Sequence, residues 1–163
     1  MGLRAEENMN NKQPLVTIIM PVHNAGRFLV PAIDSILKQT YRTMELIIVD
    51  DGSTDRSWKI MQSYRKAHPK TVKIYQTPKQ LNSAGNGATE LGLSHAKGAF
   101  IARMDADDIA YAKRIEKQVA FLMAHPDTIM VGSQAAVIDK AGRIVGKKSV
   151  PTDHEAIYQQ YGI

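Results

Sequence analysis

The segment Glu45-Leu46-Ile47-Ile48-Val49-Asp50-Asp51-Gly52-Ser53-Thr54-Asp55 decides the fold. Leu46 to Val49 is an unbroken, mostly β-branched apolar run, so it lacks the polar alternation of a strand with one wet face. Such a strand is covered on both sides. It ends in two acids and a turn-forming stretch, where Ser53 or Thr54 can cap a helix carrying Trp58, Met61 and Tyr64 on one side. A buried strand handing over to a helix is the repeating unit of a parallel α/β sheet, because a parallel neighbour is reached only through a crossover.

The same unit recurs on either side. Upstream, Leu15 to Val22 is a second apolar strand, and Gly26 breaks the chain after it. Phe28, Leu29, Ala32, Ile33, Ile36 and Leu37 then follow at helical spacing, with Pro31 suited to the first turn. Downstream, Val72 to Gln76 reads as a short strand. A Gly-, Asn- and Ser-rich loop from Asn82 to Gly87 opens a helix through Ala96, closed by Lys97-Gly98. Ala99 to Met104 is a further strand ending at Asp105-Ala106-Asp107-Asp108, and the helix after it buries Ile115, Val119 and Leu122 and stops before Pro126. Ile129 to Val131 and Ala135 to Ile138 read as strands, with a hairpin turn at Lys140-Ala141-Gly142-Arg143. The expected architecture is a mainly parallel α/β sheet with helices on both faces. It occupies one domain, residues 14–163, behind a polar, aperiodic leader at 1–13 expected to be disordered.

Composition narrows the function. A chain of 163 residues is about one domain and needs no metal or disulfide staple to fold. The absence of cysteine excludes a disulfide framework, thiolate zinc sites and cysteine nucleophiles. No apolar run approaches the roughly 20 residues that span a bilayer. The start is polar, without the apolar core of a signal peptide, and Glu6 stands where a myristoylation signal needs Ser or Thr. The net charge of +5 is mild. It suits an anionic ligand or a membrane surface, but such an excess is most often only a solvated face.

Right-handed crossovers put the carboxyl ends of all the parallel strands along one edge, where open α/β sheets bind ligands. Three polar clusters fall there: Pro21-Val22-His23-Asn24, Asp50-Asp51-Gly52-Ser53 and Asp105-Ala106-Asp107-Asp108. The last packs three carboxylates into four positions, which repel by roughly 1 kcal/mol per pair in water and by more in a drier cleft. Mg²⁺ or Mn²⁺ offsets that repulsion, taking one or two carboxylates together with diphosphate oxygens. Asp105 and Asp107 can then serve different partners, a ribose hydroxyl and the metal. The competing reading has Asp108 capping the next helix and the other two merely solvated. Asp50 can accept from a ring N–H, as a pyrimidine such as uracil presents, or can simply shape a turn. Gly85, Asn86 and Gly87 could turn backbone N–H groups toward an anion. Neither a P-loop nor a Gly-x-Gly-x-x-Gly pattern is present. His23, His68, His95, His125 and His154 are scattered without metal-ligand spacing, and Arg103 could pair with a carboxylate or reach a phosphate.

Together these residues resemble the family 2 glycosyltransferases. The likeness is carried by Val16-Thr17-Ile18-Ile19-Met20-Pro21-Val22-His23-Asn24, by Ser35 to Tyr41, by Glu45 to Asp55, by Arg103 to Asp108, and by His125-Pro126-Asp127 with Val131-Gly132-Ser133. It covers about residues 14–160. The resemblance implies a GT-A (Rossmann-like) fold and transfer of a sugar from a nucleotide donor with inversion. It implies that Pro21, Val22, Asn24, Asp50, Asp51, Asp105, Ala106 and Asp107 hold the nucleotide-diphosphate sugar, with Asp50 at the base and Asp105 near the ribose. Asp107, with Asp105, would hold the Mg²⁺ or Mn²⁺. By the same analogy a UDP-sugar is favoured, nucleic acid is not an expected partner, and the setting is the bacterial cytoplasm, with peripheral contact at the inner face of the membrane. This chain departs from the family pattern at Glu90, where Asn is frequent. It also stops before the half that supplies the acceptor site and catalytic base; no residue here matches that base. The expectation is therefore a chain that binds donor and transfers sugar poorly or not at all. The alternatives are a catalytically silent nucleotide-binding remnant, a sugar-phosphate nucleotidyltransferase and a phospho-acceptor signalling domain. A nucleotidyltransferase would carry a Gly-rich loop where Pro21 to Gly26 stand, and a phospho-acceptor domain would carry its acid pair after the first strand.

Overall fold

The computed structural model describes residues 13–78 and 86–161. β1 (Val16–Val22) and β2 (Met44–Asp50) pair in parallel along their whole length, from Val16 against Met44 to Val22 against Asp50. β3 (Val72–Gln76) lies parallel outside β2, and β4 (Phe100–Arg103) lies parallel on the other side of β1. The order β3-β2-β1-β4 makes the two most apolar strands central. Both are buried throughout almost their entire length, as their unbroken apolar runs require.

The period of two along each strand splits the core into two layers. Ile18, Met20, Leu46 and Ile48 face α1 (Leu29–Leu37), α2 (Ser57–Ala67) and α4 (Arg114–Ala124) through Leu29, Ile33, Ile36, Met61, Ile115 and Val119. Ile47 and Val49 face α3 (Asn86–Ser94) through Ala88. Gly92 lets α3 lie close to the sheet: a Cβ there would stand 2.6 Å from Ile19 Cγ2. Helices thus cover both faces of a Rossmann-like parallel sheet. A short 3₁₀ turn, Gly26–Phe28, leads into α1, and Pro31 does lie in its first turn.

At the amino-terminal edge of the sheet, Glu45 is buried and accepts from Thr17 Oγ1 at 2.7 Å, Lys73 Nζ and the Lys97 amide. Burial alone would raise this carboxyl; the bonds from Lys73, Thr17 and Lys97 outweigh it and hold the pKa below the ordinary carboxylate value.

The chain divides into two compact units after Val119. In the second unit, β5 (Ala135–Ile138) and β6 (Ile144–Lys148) form an antiparallel hairpin, with α5 (His154–Tyr161) after it. The expected turn is present. Gly142 takes φ +78°, and the Asp139 carboxylate accepts from the Ala141 and Arg143 amides. The strand expected at Ile129 to Val131 is not formed: this stretch is irregular and Ile129 is 99% exposed. Its three apolar residues have no neighbouring ladder to receive their backbone groups. The helix expected to run through Ala96 ends at Ser94, followed by a turn in which the His95 and Ala96 amides reach Gly92 and Leu93.

Candidate functional site

β1 continues through Met20, Pro21 and Val22 after β4 has left it at Ile19 against Arg103. The hydrogen bonds of Ile19 and Val22, to Met104 and Asp51 respectively, show which way successive backbone groups point. By that alternation Pro21 would aim its N–H at the side β4 has vacated, so its missing donor costs no ladder bond. The gap between the end of β1 and the diverging 104–108 segment is an open cleft of about 370 Å³.

Pro21 and Val22 line the cleft together with His23, Asn24, Ala25 and Phe28. Asp51 enters from the end of β2, and Arg103, Asp105, Ala106 and Asp107 from the end of β4. Three separate strand ends therefore meet at one concavity. Seven of the eight residues expected to hold a nucleotide sugar are among its lining: Pro21, Val22, Asn24, Asp51, Asp105, Ala106 and Asp107.

The eighth, Asp50, stands one residue behind that lining. Asp50 is fully buried and is not part of the cleft lining. Its carboxylate oxygens accept from the Ser53 amide at 3.3 Å and Gln76 Nε2 at 3.1 Å. Asp50 thus braces the turn and the end of β3, while its neighbour Asp51 supplies the acid that borders the cleft. Asp51 is itself held, with Oδ1 accepting from Thr77 Oγ1 at 2.8 Å. After them Gly52 adopts φ +73°, the left-handed conformation that makes this a glycine position.

Asn24 ties the two loops together. It has φ +50°, and its Oδ1 accepts from the Thr54 amide at 2.8 Å and the Asp55 amide at 3.3 Å. Its own amide donates to Ser53 Oγ at 2.9 Å. These bonds explain why neither Ser53 nor Thr54 caps α2 as expected: both are committed to Asn24. Asp55 takes that role instead, its Oδ1 accepting from the Ser57 amide at 2.8 Å. The Ser57 hydroxyl, followed by the Ser57 and Gly26 amides, outweighs burial and lowers the Asp55 pKa. His23 Nδ1 lies 2.9 Å from the Asp51 carbonyl, which can only accept, so His23 donates there and its Nε2 accepts from Asn24 Nδ2.

At the opposite wall, Asp107 is exposed, Asp105 half-buried, and Arg103 Nη2 pairs with Asp105 at 3.0 Å. Asp108 does not cap the next helix, which begins at Arg114. Its carboxyl is pushed above the ordinary value first by burial and then by the negative charges of Asp105 and Asp107, against the opposing pull of Arg114 and Arg103. Among the described residues no three His, Cys, Asp or Glu side chains form a ready metal cage. Asp105 and Asp107 on one open rim nonetheless fit a hard divalent cation, because such an ion completes its shell with ligand and water oxygens. Glu90 is exposed on α3; Asn86 and Gly87 open that helix, and Gly85 lies outside the described residues.

One important residue escapes sequence reading. Gln39 is fully buried; its Nε2 donates to the Ser35 and Tyr111 carbonyls and its Oε1 accepts from the Ile115 amide. It therefore caps the end of α1 and the start of α4 at once. A polar residue closing an apolar helix is the only local signal of that role.

An acidic cleft at the carboxyl edge of a parallel sheet places the chain among α/β proteins that bind ligands at strand ends. The Glycosyl transferase family 2 profile matches residues 17–162, and the chain belongs to that family. It is 40% identical over 144 residues to EpsE of Bacillus subtilis (strain 168), whose name assigns it provisionally to the glycosyltransferases; the match covers 87% of this chain and 50% of EpsE. It is 33% identical over 119 residues to the glycosyltransferase GlyG of Streptococcus pneumoniae, covering 73% of this chain and 38% of GlyG. The chain thus spans half or less of these two relatives. Among solved structures, S. aureus TarS 1-349 in complex with UDP-GlcNAc superposes with a TM-score of 0.62 at 26% identity, over 68% of this chain and 32% of that one. The mannosyltransferase PcManGT of Pyrobaculum calidifontis, in complex with GDP-Man and Mn²⁺, shares the fold with a TM-score of 0.61 at 23% identity, over 84% and 42%. The fold is of the GT-A type. Among the described residues no helix is long and apolar enough to cross a membrane.

Proposed function

We propose that this chain is the donor-binding portion of a glycosyltransferase and that its cleft takes a nucleotide-diphosphate sugar with a divalent metal. The observation that carries the reading is the meeting of Asp51 with Asp105 and Asp107 across the end of β1. Asp51 borders the base side of the cleft, directly beside Asp50, to which the family resemblance gives the base; Asp105 lies near the ribose; Asp107 is the principal metal ligand. Pro21 and Val22 form the floor, and Asn24 holds the two base-side loops in register. A bound Mg²⁺ or Mn²⁺ supplies Lewis-acid stabilisation of charge on the departing diphosphate. The chain's own part is to fix the nucleotide between two loops and to concentrate carboxylates where that charge is to be bridged. The reading favours uridine, supported by the UDP-GlcNAc complex of TarS. It also favours inversion, by family resemblance.

Calorimetry with UDP tests the proposal. Binding that strengthens with Mn²⁺, and loses that gain in Asp107→Ala, is the expected result. Equal affinity with and without metal removes the role given to Asp107.

A further inference from the structure

We infer that Arg114 is a positioning residue for the metal end of the cleft, fixing the end of β4 and supplying the internal counter-charge beside which Asp105 and Asp107 can stand together. The inference rests on the donor-site reading above and concerns a residue outside the cleft lining.

Three observations carry it. First, Arg114 Nη2 donates to the Arg103 carbonyl at 3.0 Å. Met104 bonds to Ile19, so alternation along β4 turns the polar groups of Arg103 away from β1, toward the open edge of the sheet. Arg114 occupies that edge position, at the point where the chain leaves the sheet to form the acidic turn. Second, the guanidinium is anchored at its root. Arg114 is the first residue of α4, its amide bonds to the Tyr111 carbonyl, and the next amide, Ile115, is held by buried Gln39. Third, Arg114 Nε is withdrawn from solvent and has no hydrogen-bond partner among the described residues. A buried cationic donor left unsatisfied is costly. Burial lowers the pKa of the group, and Asp108 opposes that effect. The fold therefore keeps a half-buried cation, with one buried N–H unsatisfied, within electrostatic reach of Asp108 in the acidic turn. Arg103, by contrast, meets Asp105 in an exposed pair that solvent screens.

The test is calorimetric, on the full chain, with UDP as the probe, with and without Mn²⁺. Partners bonded to metal ligands change metal affinity by about 10–100-fold; Arg114 acts through the Arg103 carbonyl and the charge of the turn, so the low end of that range applies. Arg114→Met is expected to lose about that much of the Mn²⁺-dependent gain in UDP affinity, while metal-free UDP affinity stays within about twofold of the unsubstituted chain. Arg114→Lys, which keeps the charge but not the planar fork, is expected to recover part of the gain. Thermal melts establish that each variant is folded; if the Met variant is not, Arg114→Lys alone must show a selective partial loss. A full Mn²⁺-dependent gain in both folded variants overturns the inference, and so does an equal loss with and without metal, which marks a merely structural role. If the unsubstituted chain shows no metal-dependent gain, the donor-site reading itself fails first and takes this inference with it.

Discussion

Replacing Gln39 with alanine is expected to destabilise the first unit by about 3 kcal/mol. The side chain is 0% exposed, and all three of its hydrogen bonds go to backbone groups. The Ile115 amide is one of the N–H groups at the start of α4 that has no partner within its own helix. Left unsatisfied and buried, it costs about 1–3 kcal/mol. The bonds to the Ser35 and Tyr111 carbonyls add roughly 0.5–1.5 kcal/mol each, toward the low end where water can replace the donor. Urea denaturation followed by circular dichroism measures the loss, and an unchanged m-value shows that the unfolded state is not the cause. Gln39→Met keeps most of the volume and none of the polar partners, so it separates the hydrogen bonds from the cavity. Hydrogen exchange gives a residue-level check, because the Ile115 amide should exchange faster in both variants. A loss below about 1 kcal/mol with unaltered exchange at Ile115 refutes the reasoning.

The neighbouring acids should behave differently. Asp51→Asn is expected to weaken UDP binding with little change in melting temperature, whereas Asp50→Ala, which frees the Ser53 amide and Gln76, should lower stability. Calorimetry and thermal melts on the same two variants decide this. Gly92→Val should destabilise by about 1–3 kcal/mol by overpacking, since even a Cβ meets Ile19 at 2.6 Å. Chemical denaturation reads the effect. Glu45 has a lowered folded pKa, so its contribution is present above the unfolded value near about 4.3 and disappears as pH falls through the folded value. Acid titration of stability should therefore be steeper below about pH 4.3 for the unsubstituted chain than for Glu45→Gln.

Sequence reading succeeds where the signal is local. β3 is found at its observed bounds, and β1, β2 and β4 within a residue or two; the uninterrupted apolar runs of β1 and β2 mark the two central strands covered on both faces, while β3 and β4 are shorter, partly exposed edge strands. It follows that all the acidic clusters reach one edge. The choice between Asp50 and Asp51 is not local. On a strand buried on both faces, apolar alternation does not say which partners two adjacent acids take; Ser53 and Gln76 bond Asp50, and Thr77 bonds Asp51. The capping of α2 is misread for the same reason: Asn24, about thirty positions away, claims Ser53 and Thr54. Gln39 and Arg114 act through backbone carbonyls and amides distant in sequence, and their residue types alone reveal neither role. Ile129 to Val131 has strand composition, but an apolar run becomes a strand only when another strand pairs with it.

The most direct measurement is a crystal structure of the chain with UDP and Mn²⁺, using manganese anomalous scattering to place the ion. The account predicts an anomalous peak at coordinating distance from Asp107, diphosphate oxygens on the same ion, and the uracil ring beside Asp51. A nucleotide bound elsewhere, or an ion coordinated without Asp105 or Asp107, would contradict it.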